Sequence, residues 1–139
     1  MDRAVAMLTG WSRAEVQADR LVCYGHSMGS THMYLVGPFE PRLKALVGNC
    51  CLPTYAAIHR EQLLHCLPNY VPGLHAFGDT PDIVALIAPR PLHMNFGEKD
   101  GGSPIDEVRR GMLVVRRAYG SQRAEQNFSY FVEDGAGHV

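Results

Sequence analysis

Apolar residues fall into two kinds of run along this chain, and the two kinds alternate. Leu21-Val22-Cys23-Tyr24 is continuous, the pattern of a strand covered on both faces of a parallel sheet. Leu43 to Val47, Leu92 to Phe96 and Asn127 to Val132 predict three more strands. Between them lie segments with helical spacing. Residues 2–9 carry Val5 and Leu8 on one face and stop at Gly10. Residues 12–19 are polar and predict a connecting turn or a short helix. Thr31 to Val36 is helical until Gly37-Pro38 ends it. Tyr55 to Cys66 predicts a helix, and a loop bearing Pro and Gly follows. Pro81 to Ile87 predicts a short helix with Thr80 as its cap and Pro81 at the first helical position. Ala88-Pro89-Arg90-Pro91 predicts an extended connector. Pro104 to Tyr119 sets Ile105, Val108, Met112 and Val115 on one face, with Gly120 closing the helix.

Strands alternating with helices predict an α/β fold, a parallel sheet with flanking helices. Such sheets bind ligands beyond the carboxyl ends of their strands, so chemistry is sought in the loops that leave them.

Composition acts mainly by exclusion. The chain is 46% hydrophobic and 19% charged, enough apolar material for a packed core. A formal net charge of −1 offers no electrostatic footprint for nucleic acid or for an anionic membrane surface. No apolar run reaches the roughly 18 residues of a membrane span, and no secretory signal follows Met1-Asp2-Arg3. Cys23, Cys50, Cys51 and Cys66 include no CxxC pair and are expected to be reduced thiols of a cytoplasmic protein. His59, His65, His75 and His93 lack metal-binding spacing, so neither a metal nor another cofactor is expected.

One segment carries a specific chemical signal. Gly25-His26-Ser27-Met28-Gly29 fits G-x-S-x-G between a predicted strand and a predicted helix. A serine on that turn projects its hydroxyl from the sheet, and glycines two residues to either side let the backbone pass close to itself. The Met28 backbone N–H then serves as an oxyanion donor at a helix start. A serine nucleophile needs a base, and the base needs an orienting carboxylate. On this fold they follow in the order Ser, acid, His. Asp100 comes just after the third strand and His138 just after the fourth. Glu98, Asp106, Glu133 and Asp134 are the rival carboxylates. His26, at the variable elbow position, either lines the site or packs, and His32 is expected to be structural.

These residues resemble the α/β-hydrolase superfamily, in particular serine esterases of the dienelactone-hydrolase and acetyl-xylan-esterase type. The likeness rests on Gly25-His26-Ser27-Met28-Gly29, on Asp82-Ile83-Val84-Ala85-Leu86-Ile87-Ala88-Pro89-Arg90-Pro91-Leu92, on Gly97-Glu98-Lys99-Asp100 and on Gly137-His138. It implies Ser27, Asp100 and His138 as nucleophile, acid and base acting on a small-molecule ester. Dienelactone hydrolase itself uses a cysteine where this chain has Ser27, which favours simple esters. The family sheet usually has eight strands, and residues 1–139 supply the last four, from nucleophile strand to catalytic histidine. The early strands, the loop giving the second oxyanion N–H and the helix after the base are absent. The sequence is therefore expected to be the C-terminal part of such a fold, with an exposed strand edge that favours self-association. Two other readings stay open: a peptidase of the prolyl-oligopeptidase kind, and an inactive half that serves as a binding module.

Overall fold

The computed structural model describes residues 14–138. The expected helix over residues 2–9 lies outside them. Residues 14–20 form turns and bends. Four strands make one sheet: β1 (Leu21–His26), β2 (Leu43–Asn49), β3 (Leu92–Gly97) and β4 (Phe128–Glu133). They lie side by side in chain order, and every pair is parallel. Four α-helices connect them: α1 (Met28–Val36), α2 (Tyr55–Glu61), α3 (Thr80–Ala85) and α4 (Ile105–Ser121).

The register explains which face is covered. Cys23, Leu46, Leu92 and Phe128 stand in one row across the four strands. This row joins Met33 and Tyr34 of α1, Val84 of α3, and Val108, Met112, Val115 and Tyr119 of α4 in one core. Burying such a surface is the main driving force for the layered arrangement. The next row, Tyr24, Val47, His93 and Ser129, faces the other way. Among the described residues that face is open. Val22 is 62% and Tyr24 66% exposed, so β1 is not covered on both faces as its apolar run predicts.

Several boundaries differ from expectation for local reasons. Helix α2 stops at Glu61 instead of Cys66. Gln62 takes a left-handed conformation with φ 54°, and its side chain donates to the His59 carbonyl. Asp79, not Thr80, caps α3: its carboxylate accepts from the N–H of Thr80, while that of Asp82 accepts from the N–H of Asp79. Thr80 instead donates its hydroxyl to the Pro53 carbonyl at 2.7 Å. Residues 86–90 form turns around a cis Ala88–Pro89 bond, not an extended connector. Arg90, just beyond, donates to the carbonyls of Glu40 and Leu43 and so anchors the entry to β2. Gly120 lies inside the last turn of α4 and does not end it.

Candidate active site

The chain reverses sharply after β1. Ser27 has φ 54° and ψ −119°, a conformation that a residue with a side chain holds only when its surroundings enforce it. Two constraints do so. The Ser27 N–H donates to the Asn49 carbonyl at 2.8 Å, and its own carbonyl accepts from Ser30 and Thr31 in the first turn of α1. A Cβ at Gly25 would collide with the Gly29 carbonyl, so strand and helix can cross only with glycine there. A Cβ at Gly29 would meet open space, so no close approach requires the second glycine. Met28 opens α1, and its N–H belongs to the first turn, whose donors have no carbonyl partner within the helix.

The loop after β3 delivers the carboxylate. Asp100 Oδ1 accepts from the Gly102 N–H at 2.9 Å, and its side chain is only 3% exposed. Ser103, also buried, secures this loop to the end of β2. Its hydroxyl accepts from the Leu52 N–H at 3.0 Å, and its N–H donates to the Asp100 carbonyl at 3.1 Å.

The loop after β4 delivers the imidazole. Lys99 N–H donates to the Ala136 carbonyl at 2.7 Å, and Gly135 N–H donates to Glu98 Oε2 at 2.9 Å. Glu98 thus shapes the histidine loop, while Asp106 pairs with Arg110 at 2.9 Å on α4. Gly97 is indispensable to this crossing, because a Cβ there would run into the Gly137 carbonyl.

The structure brings three of the expected residues together. His138 Nε2 lies 2.7 Å from Ser27 Oγ, and His138 Nδ1 lies 2.8 Å from Asp100 Oδ2. With Nδ1–H donated to the carboxylate, the Nε2 lone pair faces the serine hydroxyl, the tautomer that a base requires. His26 lies next to this group. Its ring packs beside that of His138, with centroids 5.6 Å apart.

The cleft beside Ser27 measures about 390 Å³ and is walled in part by Cys51, Leu64, His65 and Gly102. The early end of α2 is what brings Leu64 and His65 to it. Burial pushes the Cys51 thiol up from its ordinary pKa and the His65 imidazole down, so both favour their neutral forms. Pattern reading missed Gly97, Ser103 and His65. A glycine at the end of a strand is a sequence signal for Gly97. Nothing local distinguishes the other two, whose roles depend on contacts with distant segments.

A parallel sheet with a strained serine elbow at its carboxyl rim, facing an imidazole and a buried carboxylate, defines the α/β-hydrolase class. The chain belongs to the Abhydrolase family, which it matches over residues 6–134. It is 30% identical over 129 residues to YtaP of Bacillus subtilis (strain 168), an alignment covering 91% of this chain and 43% of YtaP. Three solved structures share the fold. The methylesterase BT1017 superposes with a TM-score of 0.67 at 20% identity, over 99% of this chain and 30% of that one. A glucuronoyl esterase from Solibacter usitatus gives 0.68 at 17%, over 99% and 42%. One from Caldicellulosiruptor kristjansonii, of carbohydrate esterase family 15, gives 0.71 at 14%, over 99% and 43%. This chain thus spans less than half the length of each of these proteins. Among the described residues, no helix is long and apolar enough to cross a membrane.

Proposed function

We propose that this chain carries the catalytic groups of a serine hydrolase that cleaves carboxylic esters, of the acetyl-ester type, through an acyl-enzyme. One observation carries the reading: the two-step hydrogen-bond relay from Ser27 through His138 to the buried Asp100, at 2.7 and 2.8 Å. The printed names of the similar structures, a methylesterase and glucuronoyl esterases, support ester over peptide cleavage.

The chemistry follows from the geometry. Ser27 Oγ attacks the acyl carbon while His138 Nε2 takes its proton. Asp100 keeps the imidazole in the productive tautomer and stabilises the imidazolium. The Met28 N–H faces the developing oxyanion. Collapse of the tetrahedral intermediate expels the alcohol, which leaves with the proton from Nε2. Water then attacks the acyl-enzyme with His138 again as base, releasing the acid and restoring Ser27.

The test compares p-nitrophenyl acetate hydrolysis by full-length wild type, Ser27→Ala and His138→Ala. Each variant is expected to lose at least about 10³-fold in kcat. A fluorophosphonate probe is expected to label Ser27 in the wild type alone. Equal hydrolysis in all three proteins, with no labelling, would rule the mechanism out.

A further inference from the structure

A thiol stands beside the acid and the base. Cys50 Sγ, a carboxylate oxygen of Asp100 and a ring nitrogen of His138 all lie within 4.8 Å of one another. They come from three strand ends, so no local spacing announces the group. Cys50 follows β2 with φ 55°, its N–H donates to the Asn95 carbonyl at 2.8 Å, and its side chain is buried. Its placement is therefore fixed by backbone. Zinc–ligand bonds of about 2.0–2.3 Å put neighbouring donors in a tetrahedral site roughly 3.5 Å apart, so one ion is held once the Asp100–His138 contact, 2.8 Å as a hydrogen bond, opens and Cys50 Sγ, within 4.8 Å of both, adjusts to match. Thiolate, imidazole and carboxylate together favour zinc or cadmium over magnesium or calcium.

We infer that Cys50, Asp100 and His138 form a site for a thiophilic divalent cation, zinc or cadmium, whose occupancy switches hydrolysis off. The inhibitory part rests on the roles proposed above for Asp100 and His138. The proton balance is simple. The Cys50 thiol releases one proton to solvent and becomes the thiolate ligand. The imidazole nitrogen facing Asp100 is Nδ1. It binds the ion through its lone pair, so the ring proton moves to Nε2. Nε2–H can no longer accept the Ser27 proton, and the nucleophile stays inactive. The His138 side chain is 45% exposed, which gives the ion a route in.

The experiment titrates full-length wild type, Cys50→Ser and His138→Gln with Cd²⁺ and Zn²⁺. The wild type should show an ultraviolet thiolate-to-cadmium charge-transfer band that saturates at one ion per chain in the difference from Cys50→Ser. Its ester hydrolysis should fall in parallel and return on adding a chelator. Cys50→Ser should hydrolyse normally but need at least tenfold more metal for half inhibition. His138→Gln, tested by the band alone, should bind at least tenfold more weakly. Equal inhibition of wild type and Cys50→Ser, or no band in the wild type, overturns the inference. Should Cys50→Ser not fold, the wild-type band and its weakening in His138→Gln decide. The band does not depend on turnover, so a protein that binds cadmium yet hydrolyses no ester refutes the hydrolase reading alone.

Discussion

Gly97→Ala should sharply reduce the proposed ester hydrolysis without altering Ser27, Asp100 or His138. An added Cβ at position 97 would overlap the Gly137 carbonyl and stand 2.7 Å from the Ala136 carbonyl oxygen, whereas ordinary contact begins near 3.4 Å. Both obstacles are backbone, so no rotamer change relieves them. The loop must retreat by about 1 Å or more, and His138 is the next residue. Its bonds to Ser27 and Asp100 measure 2.7 and 2.8 Å, so a shift of that size carries one or both beyond hydrogen-bond reach. Misplacing a reacting group by about 1 Å costs roughly 10²-fold, equivalent to about 2.7 kcal/mol in the barrier. The fall should appear in kcat/KM for p-nitrophenyl acetate, measured on full-length protein that keeps a cooperative unfolding transition. Gly101→Ala is the control: it lies in the neighbouring loop, and a Cβ there meets nothing within 4 Å. It should stay within about threefold of wild type, since nothing has to move. A folded Gly97→Ala protein within threefold of wild type would refute the reasoning.

Two further predictions concern stability. Glu107 is nearly buried and accepts from Arg60 and Arg110, each at 2.6 Å, joining α2 to α4. Hydrogen bonds from Arg110 and Arg60 hold its carboxyl below the usual value of 4.5. Its stabilising contribution is therefore present above pH 4.5 and lost as pH falls through the lower folded value. Glu107→Gln should cost about 1–3 kcal/mol at pH 7 in urea unfolding, and the gap should narrow below pH 4.5; a gap independent of pH would contradict this. Asp79 caps α3 and also accepts from the N–H groups of Tyr55 and Ala56 at the start of α2. Asp79→Ala should cost about 1–2 kcal/mol, read as a lowered melting temperature by circular dichroism, and an unchanged transition would refute the double-cap account.

Patterns that depend on near neighbours were legible in the sequence. The four strands and the apolar face of α4 follow from periodicity, and the elbow follows from five consecutive residues. Boundaries decided by one side chain were not. Gln62 ends α2 by taking a left-handed turn, and Asp79 outcompetes Thr80 for the cap by serving two helices at once. The burial of β1 illustrates a different limit. Its run Leu21-Val22-Cys23-Tyr24 has the composition of a doubly covered strand, yet Val22 and Tyr24 are exposed among the described residues. A sequence pattern reflects the whole fold in which a strand is used, and this chain covers only 43% of YtaP. For the site, pattern placed Ser27, Asp100 and His138 on one rim. It had no access to Ser103 or the thiol of Cys50, whose significance arises only when loops from different strands meet.

The site depends on those meetings for a topological reason. Parallel strands joined by helical crossovers send every carboxyl end to the same rim, so groups 111 positions apart in sequence come to lie 2.7 Å apart in space. The rim is crowded with backbone in consequence. At both places where one segment must pass another, the Ser27 elbow and the His138 loop, the passage runs over a glycine that accepts no Cβ, Gly25 in one case and Gly97 in the other. The geometry of this site is thus fixed less by Ser27, Asp100 and His138 themselves than by two points where a side chain is forbidden. A methyl group at either should cost more activity than many substitutions along the cleft wall.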